Sequence, residues 1–555
     1  MNKHSFKIFL AGIVVSITLL TLSSCSDKWD AHYKTDLIIS SDLSIWDQIK
    51  NNSNLSDFKT VLENTHLYNH NNLSTVSYAD YLNSNQSFTV WAPLNGSFNK
   101  DSLLILCESP SGDSIVESTF LKNHIARYPF TVTESTNQNI LMLNLKVKKL
   151  IGLTFGGVPI STPNITARNG ILHLVDRNIP YYYNVYDGIC NDPETSLLGK
   201  FMKSYQKDSL DEMASVASGI VDGKTVYVDS VMIATNLLLS ELGSLNNEDS
   251  SYWMVAPTDV AWTEAYNRIA PYYNFSFISG ASSLQDYWTK HTMITDAVFN
   301  PNEQKSYRDS LTSTKYDAYY NSYYNVKYHV FHKPFDSGSG GILSNIKSKV
   351  LCSNGYIYKV DKWPFKLQEV FFHPIIVEAE IAGMDPSSYT LSTLNVYRTI
   401  ADSISNNEYI QLVPAKAASN PTITFQIPNT LSGKYDVCIV CVPRSVYSNN
   451  PADSLKNSRP YKFKATLSYK NEAGVNKDYI CPMPNAVKVN LNTFSNNPYK
   501  MDTVCVAKGF KFPTCNLGQT VVTVSLKITC FITSSEKNFS NEMFLDCIYL
   551  KPNED

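Results

Sequence analysis

Val90-Trp91-Ala92-Pro93-Leu94-Asn95-Gly96-Ser97-Phe98 returns later in the chain as Met254-Val255-Ala256-Pro257-Thr258-Asp259-Val260-Ala261-Trp262. A second mark, Asn169-Gly170-Ile171-Leu172-His173-Leu174-Val175-Asp176, returns as Asn354-Gly355-Tyr356-Ile357-Tyr358-Lys359-Val360-Asp361. A histidine falls between the marks each time, His124 and then His291. Three marks in one order mean that one domain is written twice. An apolar strand running into Ala-Pro must stop, because proline lacks a ladder N–H and holds the preceding residue extended. Asn95 and Asp259 are placed to cap a following helix, with Phe98 and Trp262 on its inner face. Asn-Gly predicts a hairpin with φ > 0 at both central residues. The run after it suits a half-buried strand. Each copy is thus expected to combine strands and helices around its own core.

These marks resemble the fasciclin (FAS1) family, whose first block is an apolar strand followed by Ala-Pro-Thr-Asn-x-Ala-Phe. Its second block is Asn-Gly-x-(I/V)-x-x-(I/V)-Asp, and a helix carrying a Tyr/Asn-His pair lies between them; here the pairs read Asn123-His124 and Lys290-His291. The resemblance spans roughly residues 40–365. It implies two α/β (α+β) domains used for adhesion or ligand presentation, without a cofactor. The departures are Leu94-Asn95-Gly96 in the first copy and an insertion between the blocks of the second.

The N-terminus reads as an address. Lys3 and Lys7 precede an apolar stretch from Ile8 to Leu22, of secretory-signal length. Leu22-Ser23-Ser24-Cys25 resembles the bacterial lipobox. That implies cleavage before Cys25, lipidation of its sulfur and acylation of its new amine, and two or more acyl chains give durable anchoring. Ser26 after the cysteine implies the outer membrane, and Asp27 and Asp30 hint at export to the surface. A tether to about Ser41 could reach roughly 50 Å at about 3.3 Å per residue.

A chain of 555 residues is expected to hold about three or four domains. Forty-seven basic and fifty acidic residues give a net charge of −3, and no basic stripe points to nucleic acid. The expected division is signal peptide 1–24, lipidated tether 25–41, first copy 42–186, second copy 187–365 and a terminal domain 366–555. In that last stretch short strand-like runs recur between Pro, Gly and Asn: Ile375–Glu380, Ile410–Val413, Thr422–Ile427, Tyr435–Val442, Tyr461–Tyr469, Val487–Leu491, Val521–Phe531 and Phe544–Leu550. The spacing predicts an antiparallel β-sandwich. Ile376-Val377-Glu378-Ala379-Glu380, Ser432-Gly433-Lys434-Tyr435-Asp436-Val437 and Leu545-Asp546-Cys547-Ile548-Tyr549-Leu550 resemble galactose-binding-like jelly-roll modules. That resemblance implies a structural calcium on Glu380 and Asp546, hard oxygen donors for a hard cation. The acidic residue usual after Ala-Glu is replaced by Ile381.

All seven tryptophans precede the sandwich. A sugar-stacking platform is therefore sought among tyrosines, and Tyr319, Tyr320, Tyr323 and Tyr324 in the insertion are the candidates, Tyr with Asn and Ser being suited to wet recognition surfaces. The competing reading of that insert is a cover packed on its own domain. His124 and His291 have no nucleophile nearby by motif and read as buried histidines bonded to backbone. His329 and His332, three apart on a strand, would face opposite sides and share no metal. Asp336-Ser337-Gly338-Ser339-Gly340-Gly341 lacks the Gly-x-Ser-x-Gly frame of hydrolases and reads as a loop. Cys438 and Cys441 have metal-ligand spacing but sit in an apolar strand, so buried thiols are expected. The expectation is a non-catalytic outer-membrane surface lipoprotein that resembles accessories of SusC/SusD-type uptake systems in Bacteroidetes and captures a glycan or peptide. The alternatives are an adhesin contacting matrix or neighbouring cells, and a hydrolase with its site in the terminal domain.

Overall fold

The computed structural model describes residues 41–69, 72–210, 216–221, 224–229, 232–301, 311–314, 319–321, 326–328, 331–332, 341–399, 404–443, 458–482 and 492–553. They fall into two compact units, one drawn from Met1–Tyr181 and Glu212–Val231, the other from Tyr182–Asp211 and Met232–Asp555.

In the first copy, strand Phe88–Pro93 runs parallel to Gly170–Val175, with Phe88 opposite Gly170 and Pro93 opposite Val175. Every residue of both strands is buried, as a parallel pair covered on both faces requires. They lie inside a seven-stranded sheet whose order is Ile125–Arg127, Phe88–Pro93, Gly170–Val175, Val158–Ala167, Thr154–Phe155, Val147–Ile151 and Asn137–Leu141. The second copy repeats the pair: Tyr252–Pro257 runs parallel to Gly355–Val360, again with proline opposite valine. Its four-stranded sheet is ordered Val298–Phe299, Tyr252–Pro257, Gly355–Val360 and Ser348–Cys352.

The Asn-Gly mark closes both copies in the same way. Asn169 accepts from Ile45 N at 2.9 Å and donates to Leu82 O at 2.9 Å and Ser84 O at 2.8 Å. Asn354 accepts from Val185 N at 2.8 Å and donates to Leu245 O at 2.9 Å and Asn247 O at 2.8 Å. One side chain thus ties the opening helix and the loop before the central strand to the hairpin. The glycines have φ of 141° and 144°, and a Cβ there would stand 1.9 Å from Phe88 O and 1.8 Å from Tyr252 O.

Two local expectations need correction. The hairpins form, but their loops are Arg168-Asn169 and Ser353-Asn354, and neither asparagine is left-handed; the glycine is the first strand residue. Close approach to the neighbouring strand, rather than turn geometry, selects it. Asn95 and Asp259 cap no helix that follows them directly. Asn99 caps Lys100–Cys107 and Thr258 caps Asp259–Ile269. Asn95 instead accepts from Asp57 N at 2.9 Å, and Asp259 from Leu197 N at 2.8 Å, so each satisfies the first turn of an earlier helix, Ser56–Asn64 or Ser196–Lys203.

The terminal region is a two-layer antiparallel sandwich. One sheet is ordered Ser392–Arg398, Glu408–Pro414, Met543–Pro552, Lys434–Cys441 and Asp502–Lys511, with Ile375–Glu378 also pairing Met543–Pro552. The other is ordered Tyr389–Thr390, Thr422–Gln426, Ser525–Cys530, Lys462–Lys470 and Asn476–Ile480, with Phe494–Ser495 on Lys462–Lys470. Val487–Leu491 lies outside the described residues. The sandwich and the second copy share one apolar core. Tyr272 O accepts from Ser432 N at 2.8 Å and Asn274 O from Cys515 N at 2.7 Å. Phe372 stands between, 4.9 Å from the Tyr272 ring and 4.9 Å from that of Tyr435. Among the described residues no helix is long and apolar enough to cross a membrane.

Candidate functional site

The last strand, Met543–Pro552, changes partner along its length. Leu545 is the last residue to pair with Glu408–Pro414, and Cys547 is the first to pair with Ile375–Glu378, opposite Glu378. Asp546 falls at the switch and belongs to neither ladder. Its two carboxylate oxygens accept from Ser405 N at 3.1 and 3.2 Å. Ser405 Oγ donates to Glu378 Oε1 at 2.5 Å, while Glu378 Oε2 is buried without a hydrogen-bond partner. After Glu378 the chain leaves the strand for one helical turn, Ala379–Ala382, which keeps Glu380 inside, where it accepts from Asn406 Nδ2 at 2.9 Å.

Three acidic side chains are thus almost fully withdrawn from water. Burial, with repulsion from Glu380, pushes the Glu378 carboxyl up to about 7. Burial, with repulsion from Glu378 and Glu380, pushes Asp546 up to about 7. No cation among the described residues pairs with Glu378 or Asp546. An orphaned buried oxygen beside further carboxylates fits a hard divalent cation such as calcium. Ligand atoms of Glu378, Asp546 and Cys547 lie within 4.8 Å of one another. Of the two residues the sequence reading named, Asp546 belongs to this group of ligand atoms and Glu380 does not; Glu378 takes its place. Cys547 adds only a soft, neutral thiol, because burial and the neighbouring carboxylates hold its pKa far above the usual range. The resemblance pointed to Glu380, the last residue of the first phrase, and so passed over Glu378 two residues before it.

The outer face of the same sheet carries a second grouping. Tyr397 is 37% exposed and stacks on Tyr409 with ring centres 5.6 Å apart. Tyr397 Oη donates to Gln411 Oε1 at 2.9 Å, Asn395 Nδ2 donates to the same oxygen at 3.2 Å, and Gln411 Nε2 donates to Glu542 Oε2 at 3.1 Å. Asn395 faces Gln411 and Tyr397 faces Tyr409 across the strands, so the row is set by register. An aromatic face beside amide and carboxylate groups is what a pyranose needs. The sequence signal was present in Asn395-Val396-Tyr397 and Tyr409-Ile410-Gln411, but the strand Ser392–Arg398 was not foreseen.

Tyr319 and Tyr320 lie in a short strand, Tyr319–Asn321, paired with Val326–Tyr328, and Tyr323 and Tyr324 lie outside the described residues. Cys25, His329 and Asp336–Gly340 also lie outside them. His124 is fully buried, its Nδ1 2.7 Å from Phe120 O and its Nε2 accepting from Ile179 N at 3.0 Å. Burial pushes it down to about 4. His291 differs: its Nε2 lies 2.7 Å from Tyr205 Oη. Cys438 and Cys441 are buried thiols in the strand Lys434–Cys441.

Residues 53–180 match the Fasciclin domain family. A search of curated proteins gave no match. Among solved structures, the chain is similar to a FAS1 domain pair from the insect cell adhesion molecule Fasciclin I, at 14% identity over 51% of this chain and 90% of that one, with a TM-score of 0.21. It is similar to the CBM22-1 and GH10 modules of a Clostridium thermocellum endo-1,4-beta-D-xylanase complexed with xylohexaose, at 11% identity over 33% of this chain and 29% of that one, TM-score 0.19. The Clostridium thermocellum family 11 carbohydrate-binding module matches at 6% identity over 32% of this chain and 95% of that one, TM-score 0.18.

Proposed function

We propose that this protein is a non-catalytic, lipid-anchored protein of a bacterial outer membrane that captures a glycan at the cell surface. Its place is beside a SusC/SusD-type transporter, to which it presents the captured nutrient. What supports glycan capture is the row Asn395, Tyr397, Gln411 and Glu542 on the sandwich face, with Tyr397 as the stacking platform. Anchoring rests on the lipobox before Cys25. In this reading the second copy is also a fasciclin-type domain, since it repeats the asparagine bonds and glycine contact of the first.

Native affinity electrophoresis of the intact protein in detergent, through gels containing soluble polysaccharides, tests this directly. At least one glycan retards the protein, and Tyr397→Ala weakens that retention by about tenfold, the value of about 1–1.5 kcal/mol carried by an aromatic contact. Retention unaffected by Tyr397→Ala would remove the platform. Binding to matrix proteins with no retention by any polysaccharide would replace the reading with an adhesin.

A further inference from the structure

The first domain contains a cavity that the glycan reading leaves unused. It has a volume of about 830 Å³ and opens between the helix Tyr78–Leu82, the strand Ile125–Arg127 and the turn after Asn137–Leu141. That size suits a small ligand or a few peptide residues. Three large side chains stand at its mouth: Tyr128 59%, Leu141 57% and Leu145 69% exposed. Tyr128 and Leu145 hold φ of 70° and 63°, a region bulky residues rarely enter, so the fold keeps both rims where they are. So much exposed apolar surface at one opening marks an interaction site.

The floor is polar but satisfied. Glu117 is buried, and its Oε1 receives Tyr78 Oη at 3.1 Å, Tyr68 N at 3.2 Å and Lys122 Nζ at 3.1 Å. Its charge and that of Lys122 cancel. Arg127 is different. Its guanidinium is exposed and donates only to Gln86 Oε1 at 3.3 Å and Tyr81 Oη at 3.5 Å, with no carboxylate in ion-pair range among the described residues. The cavity therefore offers apolar walls and one uncompensated, forked cation.

We infer that this groove binds an acidic peptide segment, with aliphatic or aromatic side chains against Tyr128, Phe130, Leu141 and Leu145 and a carboxylate on Arg127. Beside its aromatic rings the lining includes Leu67, Leu141, Met142, Leu143 and Leu145, which suit peptide side chains, and the floor groups of Glu117, Tyr78 and Lys122, which a sugar would need, are already bonded among themselves. The peptide does not add as a strand, because the outer side of Ile125–Arg127 is occupied by Leu143 N on Ile125 O at 2.9 Å and by the bridge from Ala126 to Met142. The site is separate from the sandwich face and stands or falls independently of it.

The test uses the intact protein in detergent and a fluorescent hexapeptide pool in which Asp or Glu lies within two positions of Leu or Phe. A matched pool carries Asn or Gln instead. Selection from the acidic pool yields binders whose affinity falls at least tenfold on Asp→Asn or Glu→Gln exchange and at least tenfold with Arg127→Gln. Leu145→Asp, at an exposed position, weakens them similarly with an unchanged melting temperature. Equal retention of both pools, no effect of Arg127→Gln, or binding only of a polyuronate oligosaccharide would each overturn the inference. Tyr397→Ala leaves peptide binding unchanged, which separates this site from the glycan face.

Discussion

The two copies hold the same lock in different company. In the first, Asn169 and Gly170 close a unit whose apolar cores are its own. In the second, Asn354 and Gly355 close a fold whose core runs on into the sandwich through Tyr272, Phe372 and Tyr435. What the copies share is the joint that closes the fold, down to three hydrogen bonds and one backbone contact. What differs is everything the joint leaves free. The first copy has an open groove with a lone arginine, and the second is committed to holding another domain.

The strongest way to break this comparison is at the glycines. Gly170→Ala and Gly355→Ala each drive a methyl into a backbone oxygen that cannot move without opening the central pair. Each is expected to cost more than about 4 kcal/mol, the range of exceptional single substitutions. Calorimetry with limited proteolysis reads the difference. Gly170→Ala abolishes the transition of the first unit and leaves the sandwich resistant, whereas Gly355→Ala takes the sandwich with it. A sandwich that survives Gly355→Ala would show the shared core to be energetically unimportant.

The asparagines sharpen the same point with a smaller change. Asn169→Ala or Asn354→Ala leaves one buried N–H and two carbonyls short of a partner, about 3 kcal/mol in total once solvent relieves part of the loss. Both variants fold, and the Asn354 variant alone lowers the sandwich's protection against hydrogen exchange. Equal effects of the two variants on the sandwich would contradict the division of labour.

Much of this was legible in the sequence, and the limits have physical causes. The repeated Ala-Pro and Asn-Gly marks fall on a parallel strand pair that occurs twice, because proline and glycine report backbone needs that few other residues meet. The strand runs from Thr422, Tyr435, Tyr461 and Phe544 stand close to where their β-branched and aromatic residues put them, because such residues fit the pleated, buried surfaces of a sandwich. Ser392–Arg398 and Asp502–Lys511 escaped notice, since they are the two edge strands of their sheet and carry polar and charged residues on partly open faces. Glu378 escaped because the resemblance pointed to Glu380, and the change from strand to helical turn after Glu378 is not written in the phrase that carries it. The capping role of Asn95 and Asp259 was misplaced for a related reason: both bond to a helix an earlier stretch of chain brings alongside, a long-range pairing that local spacing does not encode.

The smallest effect compares the two units by their protons. In the first, burial pushes His124 and His173 each down to about 4. A base whose folded pKa is depressed contributes stability above its unfolded value, near 6.5, and loses it as pH falls toward 4. In the second unit, Glu378 and Asp546 are raised to about 7, so without metal the folded state holds protons that the unfolded state has released. Stability there is full below about pH 4 and declines as pH rises toward 7. In a chelator, acidifying from pH 7 to pH 5 therefore lowers the first transition and raises the second, by about 2 kcal/mol per titrating group. Adding calcium at pH 7 raises the second transition alone and flattens its slope, because the cation takes over the charge the protons had balanced. Transitions that move in parallel with pH, or a second transition indifferent to calcium and to Asp546→Asn, would dissolve the distinction between a histidine-buried unit and a carboxylate-loaded one.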